Sequence, residues 1–156
     1  MKYFVELECN DIDVISFGIY KFIKEEGILE SAKFGWNFID CKRLLSQNPE
    51  LVNFFKLHKL LPRHAAITVV TESSHLPRHI DELPVIAKIN IPVINTQGWA
   101  NRWYVNDTVV AELMDMQLPI VFNSQIEHSV DLINAEQLPR VIASFTFHNE
   151  PMDLLK

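Results

Sequence analysis

His79-Ile-Asp-Glu-Leu-Pro-Val-Ile-Ala-Lys-Ile-Asn-Ile-Pro-Val-Ile94 joins a polar triplet to a long apolar run. The run, Val85 to Ile94, is rich in β-branched residues and reads as a buried strand. If the triplet is also extended, residues two apart point to one face, so His79 and Asp81 present an imidazole and a carboxylate side by side. Such a pair can hold a divalent metal, provided that a third ligand comes from elsewhere in the chain.

The best third ligand is His128, in Pro119-Ile-Val-Phe-Asn-Ser-Gln-Ile-Glu-His-Ser-Val130, near another predicted strand. Two histidines and one carboxylate leave half of an octahedral coordination sphere open, the arrangement that non-haem Fe(II) oxygenases use. Further on, Arg140 opens a strong strand, Arg-Val-Ile-Ala-Ser-Phe-Thr-Phe147. Strict alternation puts Arg140, Ile142, Ser144 and Thr146 on one face and Val141, Ala143, Phe145 and Phe147 on the other. A guanidinium at the root of an otherwise apolar strand is suited to grip a carboxylate through two parallel hydrogen bonds.

His-x-Asp, a distant His and a following Arg, in that order and spacing, resemble the Fe(II)- and 2-oxoglutarate-dependent oxygenases. The resemblance spans roughly Ala65 to Pro151. It implies a double-stranded β-helix in which His79, Asp81 and His128 bind Fe(II) and catalyse, 2-oxoglutarate chelates the metal, and O2 takes the remaining position. Arg140, helped by Ser144, would fix the far carboxylate of 2-oxoglutarate. Asn95, Tyr104 and Asn123 are further candidates for cosubstrate contact. The ending His128-Ser-Val…Arg140-Val…Phe145-Thr-Phe-His-Asn-Glu-Pro151 is most similar to the aspartyl/asparaginyl hydroxylase branch. Many members of the superfamily carry Ser or Thr two residues after the arginine, where this chain has Ile142. The implied activity is hydroxylation of a small molecule or an amino-acid or peptide substrate. Two rivals use the same fold: a cupin-like metal protein without oxidation, which leaves Arg140 idle, and a non-catalytic jelly-roll binding or structural module.

Composition is that of a folded globular chain, with 48% hydrophobic and 22% charged residues among 156. The length suits one domain, 1–156. The net charge of −6, with scattered Lys and Arg, argues against nucleic acid as a partner. No apolar run reaches membrane-spanning length, and the N-terminus lacks the apolar core of a signal peptide, so a cytoplasmic location is expected and no membrane partner. Cys9 and Cys41 have neither disulfide nor metal spacing and are expected to be reduced.

In chain order, residues 2–8 predict a strand and Asn10 or Asp11 a helix cap, followed by Ile12, Ile15, Ile19, Phe22 and Ile23 at helical spacing. Phe34, Trp36 and Phe38 alternate, a short helical stretch follows over 40–45, and Asn48-Pro49 opens another helix that Pro62 should stop. Residues 1–62 therefore read as a mainly helical cover. From Ala65 to residue 150 the period becomes that of strands, about eight of them, which predicts a jelly-roll. The fold class is α+β, a double-stranded β-helix core with N-terminal helices packed on it. Open sheet edges suggest a homodimer. Asn95-Thr-Gln-Gly-Trp-Ala-Asn-Arg-Trp-Tyr104 reads equally well as a ligand rim and as an aromatic plug built on Trp99 and Trp103. His64, His75 and His148 are read without a metal role.

Overall fold

The computed structural model describes residues 2–156. Ten strands form two antiparallel sheets. β1 (Phe4–Glu6), β2 (Trp36–Asp40), β3 (Pro62–Val70), β5 (Ala87–Ile94), β8 (Ile120–Asn123) and β10 (Arg140–Phe147) make the larger sheet, in the order β1-β8-β5-β10-β3-β2. β4 (Leu76–His79), β6 (Trp99–Val105), β7 (Thr108–Met114) and β9 (His128–Leu132) make the smaller one, in the order β4-β9-β6-β7. The inner faces of the two sheets enclose a cavity, as the jelly-roll reading requires.

β10 pairs with both β3 and β5, and its alternation sorts the molecule into two interiors. Arg140, Ile142 and Ser144 line the cavity between the sheets. Val141, Ala143 and Phe145, all fully buried, belong to the main core on the other face. Of the helices α1 (Ile12–Glu25), α2 (Ile28–Ser31), α3 (Lys42–Ser46) and α4 (Pro49–Leu57), the two long ones, α1 and α4, cover that face and bring Ile15, Ile19, Phe22 and Ile23, and Leu51, Phe54 and Phe55. Phe55 sits with its ring centroid 4.9 Å from those of both Phe145 and Phe147. Burying a side chain of this kind contributes about 1.5–3 kcal/mol, so the helical cover anchors the sheet whose opposite face carries the polar residues. Pro92, on the inner strand β5, is accommodated where the register against β10 shifts between Val141 and Ile142.

The N-terminal segment, mainly helical, is not only a cover. β1 and β2 extend the larger sheet at its two edges, and the alternating Trp36 and Phe38 turn toward the cavity. Nor does Pro62 stop the second long helix. α4 ends at Leu57, Lys59 turns the chain at φ 58°, and Pro62 opens β3. Proline lacks an N–H but is compatible with extended backbone at the start of a strand, which explains the difference. Gly98, at φ 82°, lies where a Cβ would meet the backbone of Ala135 at 2.4 Å. Only glycine lets the turn before β6 approach the β9–β10 connection this closely.

Candidate metal and anion site

The antiparallel register of β4 and β9 places His79 directly opposite His128. Cross-strand partners share a face, so both imidazoles point into the cavity, with ring centroids 4.4 Å apart. Asp81 lies just past the end of β4, not on it, and still converges on the pair. Its Oδ1 is 3.5 Å from His79 Nε2 and 3.8 Å from His128 Nε2. The backbone holds it there: Asp81 N–H donates to Ser124 O (3.0 Å), and Gln125 Nε2 donates to the carbonyls of Asp81 and Val85, each at 2.9 Å. Among the described residues, these three form the only group of His, Cys, Asp and Glu whose ligand atoms lie close enough, within 4.8 Å of one another, to hold one ion.

Both histidines are oriented in the same way. His79 Nδ1 is 2.8 Å from Pro77 O and His128 Nδ1 is 2.8 Å from Ile126 O. A carbonyl oxygen only accepts, so each Nδ1 carries a proton and each Nε2 faces the Asp81 carboxylate, where it donates when protonated and is free to bind metal when not. Their titration differs. The hydrogen bond to Asp81 raises the His79 pKa above its ordinary 6.5, whereas burial lowers that of His128. Burial pushes the Asp81 carboxyl up, but the His79 hydrogen bond and the Lys88 ammonium prevail and hold it at about 2. Lys88 Nζ lies 2.9 Å from Asp81 Oδ2, which accepts no hydrogen bond of good geometry, so the contact is an ion pair. With Oδ2 so engaged, Oδ1 faces the histidines.

Arg140 lies at the other end of the cavity. It is 1% exposed, and none of its three guanidinium nitrogens has a hydrogen-bond partner among the described residues. It has a ring below it, Trp99, with the guanidinium carbon 5.4 Å from the centroid. Burial pulls its pKa down to about 10, so the group is still charged at neutral pH. A buried, unpaired cation is strongly unfavourable and calls for an anion. The cavity has a volume of about 80 Å³, measured as the space open to the centre of a water molecule. One water needs only ~10–15 Å³ on that measure, so a small organic anion is the scale of ligand that fits.

The other candidates are placed differently. Ser144 lines the cavity and donates to Asn90 Oδ1 at 2.6 Å. Four residues along a strand separate its α-carbon from that of Arg140 by about 13 Å, and its hydroxyl is already given to Asn90. Asn95 lies outside the cavity: its amide donates to Pro139 O, and it borders a surface depression with Thr96, Gln97 and Asp115. Tyr104 alternates to the outer face of β6, where its hydroxyl meets Ser129 Oγ and Arg78 stacks on its ring. Asn123 is buried beyond the cavity wall, accepting from Gln125 N–H. Ile142 lines the cavity between the two ends.

Lys88, Asn90, Asn101, Trp103 and Gln125 complete the site, and only part of this is visible in the chain. Lys88 and Asn90 are the polar residues of one face of the run Val85–Ile94, and that alternation could have marked them. Asn101 and Trp103 share a face with Trp99 by the same period. The clamp by Gln125 follows from tertiary contact alone. His64 pairs with Asp40 (3.0 Å) and His75 is exposed, both away from the His79 cluster.

Two antiparallel sheets around a His–Asp–His cluster, with a buried arginine opposite, define a double-stranded β-helix with the donor set of a divalent-metal site. Solved structures of the same architecture include AviO1 from Streptomyces viridochromogenes Tue57 (TM-score 0.53, 12% identity, 96% of this chain and 92% of that one). A Pseudomonas putida prolyl-4-hydroxylase matches with a TM-score of 0.58 at 10% identity, over 94% of this chain and 92% of the other. SnoK, a non-haem α-ketoglutarate-dependent carbocyclase from nogalamycin biosynthesis, matches with a TM-score of 0.59 at 8% identity, over 94% and 80%. At these identities the likeness is one of fold. No protein-family model matches the sequence, and no curated protein matches it. Among the described residues, no helix is long and apolar enough to cross a membrane.

Proposed function

We propose that this protein is an Fe(II)- and 2-oxoglutarate-dependent oxygenase. The observation that carries the reading is Arg140, a buried guanidinium without a partner, at the far end of the cavity that the His79, Asp81 and His128 cluster closes. Two neutral imidazoles and one carboxylate suit Fe(II) and leave positions open for other ligands. The guanidinium suits the far carboxylate of a short dicarboxylate. Iron and 2-oxoglutarate, when bound, supply the oxidising power, consuming O2 and releasing succinate and CO2.

The chain supplies the rest. His79 gives up the proton on Nε2 to bind metal, while Pro77 O keeps the one on Nδ1 in place. Lys88 holds Asp81 Oδ2 and thereby presents Oδ1 alone. Ile120, Phe122 and Ile142 line the cavity with apolar surface that excludes bulk water. Past Asp81 and Lys88 it continues into an open cleft of about 450 Å³, bordered by Phe38, His64, Leu83 and Thr146. That size fits a small molecule or one side chain of a peptide. Hydroxylation of an amino-acid or peptide substrate, as in the aspartyl/asparaginyl hydroxylase branch that the C-terminal sequence resembles, and hydroxylation of a small molecule both suit this cleft. A non-oxidative metal protein of the same fold has no use for Arg140.

Anaerobic titration of the apo-protein with Fe(II) and 2-oxoglutarate tests the proposal. A weak visible charge-transfer band of one-to-one stoichiometry is expected, lost in Asp81→Ala and weakened at least tenfold in apparent affinity in Arg140→Met. Metal binding without such a band moves the assignment to the non-oxidative reading. A folded protein that binds no metal at all sinks both.

A further inference from the structure

Arg140 is not the only cavity group without a partner. Asn101 (7% exposed) and Trp103 (2% exposed) line the same space, and neither Asn101 Nδ2 nor Trp103 Nε1 has a hydrogen-bond partner among the described residues. Every unpartnered buried group lining the cavity is thus an N–H donor, apart from Asp81 Oδ2, which faces the Lys88 ammonium. Buried donors are satisfied in almost all native proteins, so a cluster of unsatisfied ones marks the position of a missing acceptor. Several donors with no matching acceptor call for a ligand rich in oxygen lone pairs.

The donors are also ordered along the cavity. Trp103 is the cross-strand partner of His128, at the metal end. Asn101, the partner of Val130, lies two residues further along β6 on the same face, and Trp99 two beyond that, beside Arg140. Each step is about 6.7 Å along the strand. β6 and β10 belong to opposite sheets, so an acceptor-bearing chain lying between them is held from both walls.

We infer that Asn101 and Trp103 bind the cosubstrate: their N–H groups form a second anion grip on β6, nearer the metal end of the cavity than Arg140 on β10, and hold a dicarboxylate even without metal. The inference rests on the 2-oxoglutarate reading and adds to it two binding residues and independence from metal. Asn101→Leu is the informative change. Leucine is close in size and has no donor to leave unsatisfied, so the ligand-free protein should melt at the same temperature or higher, whereas a structural asparagine would lower it.

Calorimetric titration of 2-oxoglutarate, succinate and acetate into the purified protein, once with EDTA and once anaerobically with Mn(II), decides the matter. The wild type is expected to bind both dicarboxylates in EDTA and acetate far more weakly. Asn101→Leu should lose about tenfold or more in affinity for both dicarboxylates, the scale of a hydrogen bond to a charged group. Trp103→Phe, which keeps a ring against Phe4 but removes the N–H, should lose affinity in the same sense. Wild-type affinity in both variants alongside loss in Arg140→Met overturns the inference and leaves the oxygenase reading intact. Dicarboxylate binding only with Mn(II) overturns the claim of metal independence. Absence of 2-oxoglutarate binding in the wild type under both conditions overturns the oxygenase reading itself.

Discussion

His79 and His128 are the same residue type, face the same point, and titrate in opposite senses. His79 is the more basic because its Nε2 lies 3.5 Å from an ionised carboxylate, and His128 the less basic because it is the more buried. A metal binds only the unprotonated imidazole, so it must displace a proton that His79 holds more tightly than a free histidine does. Affinity for Mn(II) should therefore fall as pH drops through a value above 6.5, with His128 contributing nothing there since it is already neutral. Proton release on metal binding, measured by calorimetry in buffers of different ionisation enthalpy, checks this. Release that sets in only below pH 6 would mean that Asp81 does not hold His79. In the apo-protein the same pair has two further consequences. The raised His79 pKa stabilises the fold at pH below 6.5, an effect lost as pH rises through the folded value. The depressed Asp81 stabilises it above pH 3.8, an effect lost as pH falls toward about 2.

At the scale of elements, the metal cluster is assembled by a register and a clamp. The β4–β9 register delivers two ligands at once, because His79 and His128 are cross-strand partners. Asp81 is delivered by loop 80–86, which is fastened to the β8–β9 turn through Ser124 and Gln125. Removing the Gln125 amide frees two carbonyls of that loop while leaving all three ligands in place. Gln125→Ala should weaken metal binding by about 10-fold or more, the range seen when groups that orient ligands are lost, with far-ultraviolet circular dichroism unchanged. Unaltered affinity would show that the backbone bond from Asp81 N–H to Ser124 O suffices.

For the whole molecule, the cavity is a destabilising feature that a ligand relieves. The three metal ligands belong to the smaller sheet and its edge loop, and Arg140 to the larger one, so a dicarboxylate bound to both ties the sheets together. Without a ligand, Arg140 is a buried charge with only the face of Trp99 beside it. Replacing buried charges by apolar residues of similar volume stabilises proteins by about 1–4 kcal/mol in favourable cases. Arg140→Met should thus raise the melting temperature of the ligand-free protein, by ~2–4 °C per kcal/mol at this chain length. The wild type should gain about 2.7 kcal/mol from 2-oxoglutarate at a hundredfold excess over its dissociation constant, and the variant, at the same concentration, about 1.4 kcal/mol or less for a tenfold or greater loss of affinity. A variant less stable than the wild type without ligand would show that the guanidinium is compensated within the fold.

Strand alternation and residue chemistry were enough to place β10 with Arg140 facing one way and Phe145 the other, to mark His79, Asp81 and His128, and to predict a jelly-roll, which the family resemblance narrowed to the double-stranded β-helix. These are local properties, since a period of two and the identity of a side chain are written in consecutive residues. Tertiary structure alone decided that Asp81 acts from a loop beyond its strand, that Gln125 holds that loop, and that Lys88 takes the second oxygen of the carboxylate. It also removed Asn95 and Tyr104 from the cavity and brought Asn101 and Trp103 into it. Which of two faces meets a cavity depends on the partner strand and its register, and those are set by contacts between residues far apart in the chain. The chain order names the donors, and the packing of one sheet over the other determines which of them are left without a partner.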